Sequence, residues 1–421
     1  MADQSIIRIT KEISDLQKNS DLSLAVAFRD RDVRNVRTMI IGPHETPYEF
    51  GFFEFAVKFN KEYPRLPIHS GNLEGERGEE WSAAQGLESI LLSIQSLMSS
   101  NPYENEPGFE DANEDQDKKA QKEYVAKIRH ETLRISVIQR MEEYLGISGN
   151  TVQPTSIVNN DDYDLDMADE DIDESSVPWE PFKDLVKHRF LWYYDSYLEA
   201  IEKARKEVKD GQAFSRMPFE GSSNIMDGKF NYTELERRLR HIKATLETES
   251  ERWASEGLHP KVKDGTVAVN LARQFEQIRE SYKRSEVPHS VELENGNPFV
   301  WNLTYFGRPM TNLDGGSFRF KLRFSPRFPE EQPSVKFETR VFHHRIAQDG
   351  TPCYTPNPSR REDIKQHIDA VINALEEEHP PYDPRTIVNP EAYKLFWGTP
   401  EDRKMYNRRL RRSVQQSIED L

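Results

Sequence analysis

A cysteine with no second thiol in 421 residues sets the first limit on what this chain can do. Cys353 cannot close an internal disulfide, and a thiolate zinc cluster or a secreted disulfide scaffold is excluded with it. What remains for one sulfur is nucleophilic chemistry, which needs an accessible thiol with some thiolate character. Upstream, His343-His344-Arg345 opens ten residues before the cysteine, and Gly350-Thr351-Pro352 leads into it. Adjacent histidines could hold a metal or act as a general base. With no third ligand in view they read as a structural turn, and neither metal nor cofactor is expected.

The elements that must position these residues follow from periodicity. Ile6, Ile9, Ile13 and Leu16 recur at helical spacing. Leu22, Leu24, Val26 and Phe28 alternate, as do Phe53, Phe55, Val57 and Phe59, which predicts strands with one buried face. Leu87, Ile90, Leu91, Ile94, Leu97 and Met98 form a helical stripe stopped by Asn101-Pro102, and a further helix is expected near Ile128 to Leu145. The stretch 178–208 reads as a helix with Phe182, Leu185, Val186, Phe190, Tyr193, Tyr197 and Leu198 on one side, and Leu235, Leu239, Ile242 and Leu246 mark another. An aromatic stripe at that spacing is core rather than a ligand site. The opening pattern then returns as a divergent internal repeat. It has a helix at Val267 to Arg284, strands through Phe299 to Tyr305, Phe318 to Phe324 and Val335 to Phe337, and helices at Ile364 to Leu375 and Leu410 to Ile418.

Composition bounds the class. Hydrophobic residues make up 36% and charged residues 31%, with no apolar run long enough to span a bilayer. Residues 1–10 lack the basic-then-apolar layout of a signal peptide, so cytosol or nucleus is the expected compartment. The net charge of −16 argues against nucleic acid as a partner. Nine acidic residues and no basic ones lie between Asp161 and Glu174, which predicts a disordered linker. Arg403, Lys404, Arg408, Arg409, Arg411 and Arg412 make the last helix basic, which reads as a solvated face.

The series Ile41-Gly42-Pro43-His44-Glu45-Thr46-Pro47-Tyr48-Glu49, Gly51-Phe52-Phe53 and Tyr63-Pro64 resembles the central β-meander of ubiquitin-conjugating enzymes. Trp81-Ser82-Ala83-Ala84-Gln85 continues the likeness. Asn101 to Phe109, with Ile128-Arg129-His130-Glu131-Thr132, is similar to the large, C-terminally extended Z-type class, as are Tyr193-Tyr194-Asp195 and Phe230-Asn231-Tyr232. The resemblance implies an α+β chain with two conjugating-enzyme folds, each an antiparallel meander packed with helices, joined by a helical insert. The expected divisions are a first domain over 1–147, an acidic linker over 148–176, a helical extension over 177–256, a short linker over 257–265 and a second domain over 266–421.

The resemblance also assigns chemistry. Such an enzyme takes ubiquitin from an activating enzyme onto a cysteine as a thioester and passes it to a lysine, usually with a ubiquitin ligase. The implied partners are therefore ubiquitin or a ubiquitin-like modifier, the activating enzyme and ligases. The family's cysteine sits ten residues after the histidine of a His-Pro-Asn turn, whose asparagine stabilises the oxyanion. By that spacing Cys353 stands in the thioester position, His343 opens the turn, and Arg345 replaces the asparagine. In the first domain, Arg65 to Glu80 contains no cysteine, through true loss or through a segment missing from this chain. Three readings stay open: a transferase, an inert variant that binds modifiers or partner enzymes, and a structural tandem in which one unit clamps the other.

Overall fold

The computed structural model describes residues 4–18, 22–29, 32–64, 85–112, 114–147, 179–221, 225–259, 265–284 and 289–419. Arg65 to Ala84, the acidic linker and most of the 257–265 linker lie outside them. Helix α1 (Gln4–Lys18) buries Ile9, Ile13 and Leu16, as their spacing requires, whereas Ile6 faces out and Ser5 takes the inward place. Strands β1 (Leu24–Arg29), β2 (Asp32–Ile41) and β3 (Phe52–Lys58) form an antiparallel sheet in chain order. β2 has no clear alternation in sequence, because Arg34, Asn35 and Arg37 interrupt its apolar residues. Helix α2 (Leu87–Ser96) follows, its start held by Glu12 of α1, whose Oε2 accepts from the Leu87 N–H at 3.0 Å. A carboxylate there satisfies an orphan donor and meets the positive end of the helix dipole.

Helix α3 (Asp115–Glu131) begins earlier than its apolar residues suggest, because Asp117 accepts from the Glu114 N–H at its start. It runs through a π-helical turn (Thr132–Gln139) into α4 (Arg140–Leu145). Two long helices come next, α5 (Lys183–Glu207) and α6 (Tyr232–Gly257). Then α7 (Thr266–Arg284) leads into a second antiparallel sheet, β4 (Ser290–Leu293), β5 (Val300–Phe306), β6 (Ser317–Arg323) and β7 (Ser334–Phe337), again in chain order. Helices α8 (Ile364–Glu376), α9 (Pro390–Trp397) and α10 (Pro400–Glu419) close the chain. In α10 Leu410, Val414 and Ser417 are buried, while Ile418 is half exposed.

Strands β1 to β3 and β4 to β6 pair in the same register at a constant interval, and β7 has no counterpart among the described residues. Ile41 pairs with Phe52 across the first loop, and Phe306 pairs with Ser317 across the second. Within the loops, Gly42 N–H donates to the Gly51 carbonyl at 2.9 Å, and Gly307 N–H to the Gly316 carbonyl at 2.9 Å. The Thr46 hydroxyl donates to the Pro43 carbonyl at 2.8 Å, and the Thr311 hydroxyl to the Arg308 carbonyl at 2.7 Å. A Cβ on Gly42 would sit 1.7 Å from the Tyr48 carbonyl oxygen, and one on Gly307 would sit 1.7 Å from that of Leu313. Glycine is the residue both turns require.

Helices α5 and α6 do not form a body of their own. Their apolar residues share one core cluster with Met39, Ile41, Phe50 and Phe52 of the first sheet region, and with Ala347, Cys353, Ile387, Val388 and Tyr393 beyond the second. Tyr197 donates to the Phe50 carbonyl at 2.8 Å, and Tyr193 to the Arg385 carbonyl at 2.9 Å. The aromatic stripe of α5 is core, as its spacing predicts, and that core joins the first sheet region to the segment 347–393.

Candidate active site

After β7 the chain turns through His343-His344-Arg345 and doubles back to Cys353. Gly350 makes the return possible. Its φ is +91°, and an added Cβ would lie 2.2 Å from the Phe337 carbonyl oxygen. Phe337 N–H donates to the Gly350 carbonyl at 2.8 Å, and Ala347 N–H to that of Thr351 at 2.9 Å. The resulting hairpin sets Arg345 opposite Cys353, whose N–H donates to the Arg345 carbonyl at 2.8 Å. The Arg345 side chain follows, with Nη1 3.7 Å from the Cys353 sulfur. The three residues that the family resemblance singled out thus lie on one hairpin, with Arg345 against Cys353 and His343 bonded to the Arg345 N–H.

The histidines hold the turn. His343 Nδ1 accepts from the Arg345 N–H at 3.1 Å, which requires the neutral ring with its proton on Nε2. Burial, with the nearby Arg345 and Arg403, pushes its pKa down to about 3. His344 stacks on Phe396 with ring centroids 3.8 Å apart, its Nδ1 lies 3.0 Å from the Tyr406 hydroxyl, and burial holds it well below the usual histidine range. Among the described residues no group of three or more His, Cys, Asp or Glu side chains converges to hold a metal ion. Downstream, Asn389 caps α9 by accepting from the Ala392 N–H at 3.1 Å and donates to the Ile346 carbonyl at 3.2 Å, which fixes the hairpin from outside.

The sulfur itself is sealed, with Cys353 0% exposed. Burial pushes the thiol up, and the guanidiniums of Arg345 and Arg189 pull it back only in part. The seal includes α5, on which Tyr193 stacks against Phe50 of the first loop with centroids 4.1 Å apart while bonding to Arg385. The start of α5 is pinned to the same side. Asp184 accepts from the Gln332 N–H and from Arg361, both at 3.1 Å. Sequence reasoning placed Tyr193 in the core and passed over Arg189. Nothing in the local pattern of α5 announces a charge beside a thiol that lies far along the chain. Chemically, the arrangement pairs a sulfur with a charged donor but gives the sulfur no open approach.

The family model for the ubiquitin-conjugating enzyme matches residues 8–71 and 270–412. The Xenopus tropicalis ubiquitin-conjugating enzyme E2 Z is 31% identical over 265 residues, covering 57% of this chain and 72% of that protein. The human E2 Z is 32% identical over 266 residues, covering 58% of this chain and 64% of that protein. Ubiquitin-conjugating enzyme E2 3 of Arabidopsis thaliana is 32% identical over 124 residues, covering 30% of this chain and 80% of that protein. With the Gly42 loop, the meander around it and these likenesses in place, the chain belongs to the ubiquitin-conjugating enzyme superfamily and resembles its Z-type class.

Proposed function

We propose that this chain acts in the ubiquitin system as a non-catalytic conjugating-enzyme variant. In this reading two tandem conjugating-enzyme folds, held by α5 and α6, bind ubiquitin, a ubiquitin-like modifier, or the activating enzymes and ligases that handle it. The cytosol or nucleus fits a chain with one cysteine and no internal disulfide. The observation that carries the proposal is the burial of Cys353. Thioester formation needs the sulfur to meet the activated carboxyl terminus of another protein, and a sulfur with no exposed surface and a raised pKa is poorly placed to do so. The tandem reading draws support from the matching contacts of the Gly42 and Gly307 loops.

The test is incubation of the full chain with activating enzyme, ATP and ubiquitin, followed by a non-reducing gel, with calorimetry of ubiquitin binding alongside. Binding without a reductant-sensitive band is the expected result. A band that disappears in Cys353→Ala would overturn the non-catalytic reading, and Arg345→Asn should then speed discharge onto free lysine.

A transferase reading has one observation in its favour. The sequence pattern is lost after Pro64, the family match in the first unit stops at residue 71, and the pattern resumes at Trp81. An active centre carried on a segment absent from this chain would produce that break. Sequencing full-length transcripts across the codons for Arg65 to Trp81 decides the matter: an alternative exon encoding a cysteine supports the transferase, and an uninterrupted join rejects it.

A further inference from the structure

Helix α5 brings to the buried thiol a charge that neither reading of Cys353 uses. Arg189 is 6% exposed, and its Nη1 has no hydrogen-bond partner. Its guanidinium carbon lies 4.0 Å from the centroid of the Trp192 ring, and among the described residues no carboxylate lies within ion-pair distance of it. Arg345 is nearly as enclosed, with a side chain 13% exposed and an unpartnered Nε, and its one ion-pair partner among the described residues is the half-exposed Glu377, 3.6 Å from Nη2. Both arginines line one cavity of about 1000 Å³, bounded by α5, α6, β1 and the loop that carries Cys353.

The carboxylates around this cavity are committed elsewhere. Asp184, Glu247, Glu249, Glu331, Asp349 and Asp383 are each paired with a cation other than Arg189 or Arg345. Glu251 also lines the cavity, but it is exposed on α6. Holding a guanidinium out of water without a counter-charge costs stability, and a hydrophobic side chain of similar volume would cost less. Among the described residues Arg189 has no such partner and Arg345 has only the long pairing with Glu377, so the two arginines on one cavity leave a demand for negative charge. A planar guanidinium meets that demand best with an oxyanion, through two parallel N–H···O bonds.

We propose that Arg189 and Arg345 form an oxyanion-binding pocket, which takes a carboxylate or phosphate group through the cavity between α5 and the Cys353 loop. The ligand lies beside the thiol and is not bonded to it, so the pocket is independent of whether Cys353 can be charged. Trp192 keeps the Arg189 guanidinium in place, and the apolar residues of β1 that line the same cavity suit an organic group attached to the anion.

Isothermal titration calorimetry on the full chain in low-chloride buffer tests this. One arm uses inorganic phosphate, a second uses N-acetyl-Ala-Ala with a free carboxylate, and a third uses the same dipeptide capped as an amide. Saturable binding of phosphate or of the free carboxylate, and none of the amide, is expected, and whichever anion binds names the source of the oxyanion. Arg189→Met should weaken that binding at least about tenfold, the worth of a charged hydrogen bond. Arg323→Gln, which changes another cation on the cavity wall, should leave it unaltered. Arg189→Met should also unfold at a temperature no lower than the parent, because it removes an unpaired buried charge. If that variant does not fold, Arg345→Met carries the same expectation for binding. Absence of saturable binding by either anion, or binding undiminished when the arginine is replaced, overturns the proposal.

Discussion

In the loop after β2 and the loop after β5, three of ten residues are the same, and they are Gly42 and Gly307, Thr46 and Thr311, Gly51 and Gly316. Those three make the glycine pinch and the hydroxyl-to-carbonyl bond that close each turn. The side chains between them have diverged, with Glu45 facing Met310 and Tyr48 facing Leu313 in the correspondence. Further along, the units part altogether. The second carries a cysteine inside a sealed hairpin, while the stretch after Pro64 holds no cysteine. The difference teaches which demands a fold cannot relax. A backbone atom that must pass within contact of another carbonyl admits only glycine, whereas a thiol can be walled in without disturbing the sheet.

The severest way to break this comparison is to put a methyl group into both pinches. Gly42→Ala and Gly307→Ala should each destabilise the protein by about 3 kcal/mol, since the added carbon would collide with a backbone oxygen that cannot swing away. Urea denaturation measures it. If one variant is tolerated and the other is not, the loops are alike in outline only.

Acid should separate the units next. His343 is held neutral in the fold with its pKa lowered to about 3, against about 6.5 in the unfolded chain. The unfolded chain therefore binds protons that the fold refuses. The stability held above about pH 6.5 is lost progressively as the pH falls toward 3, by about 2–3 kcal/mol from this residue at about pH 4.5. Denaturation curves across that range should show the loss, and His343→Gln should flatten part of it. Hydrogen exchange at the same pH values should find the loosening after β7, and loosening confined to the first sheet would contradict this account.

The mildest test uses two tyrosines on one helix. Tyr197→Phe removes a bond to the first unit, and Tyr193→Phe removes a bond to the second, each worth about 1 kcal/mol. Exchange protection should drop around Phe50 in one variant and around Arg385 in the other. A uniform drop in both would mean that α5 serves one cooperative body instead of bridging two.

The family was legible because Gly42 to Glu49 is dense in residues with strict local roles. The matching Gly307 loop was not, since three shared residues in ten leave its likeness in the backbone. The helices were legible where apolar spacing was regular, and β2 escaped because charged residues interrupt it. His343, Arg345 and Cys353 were singled out through the family resemblance, and the hairpin that sets Arg345 against the sulfur is a finding of the structure. What the sequence determined by itself is a lone thiol, a turn of the right length before it, and two runs of strands and helices. Tertiary structure alone decided that the sulfur is closed off and that Arg189 stands near it with no ion-pair partner among the described residues. Accessibility and charge balance are sums over everything packed around an atom, and here the packing comes from a helix remote in the chain, whose own pattern reads only as core.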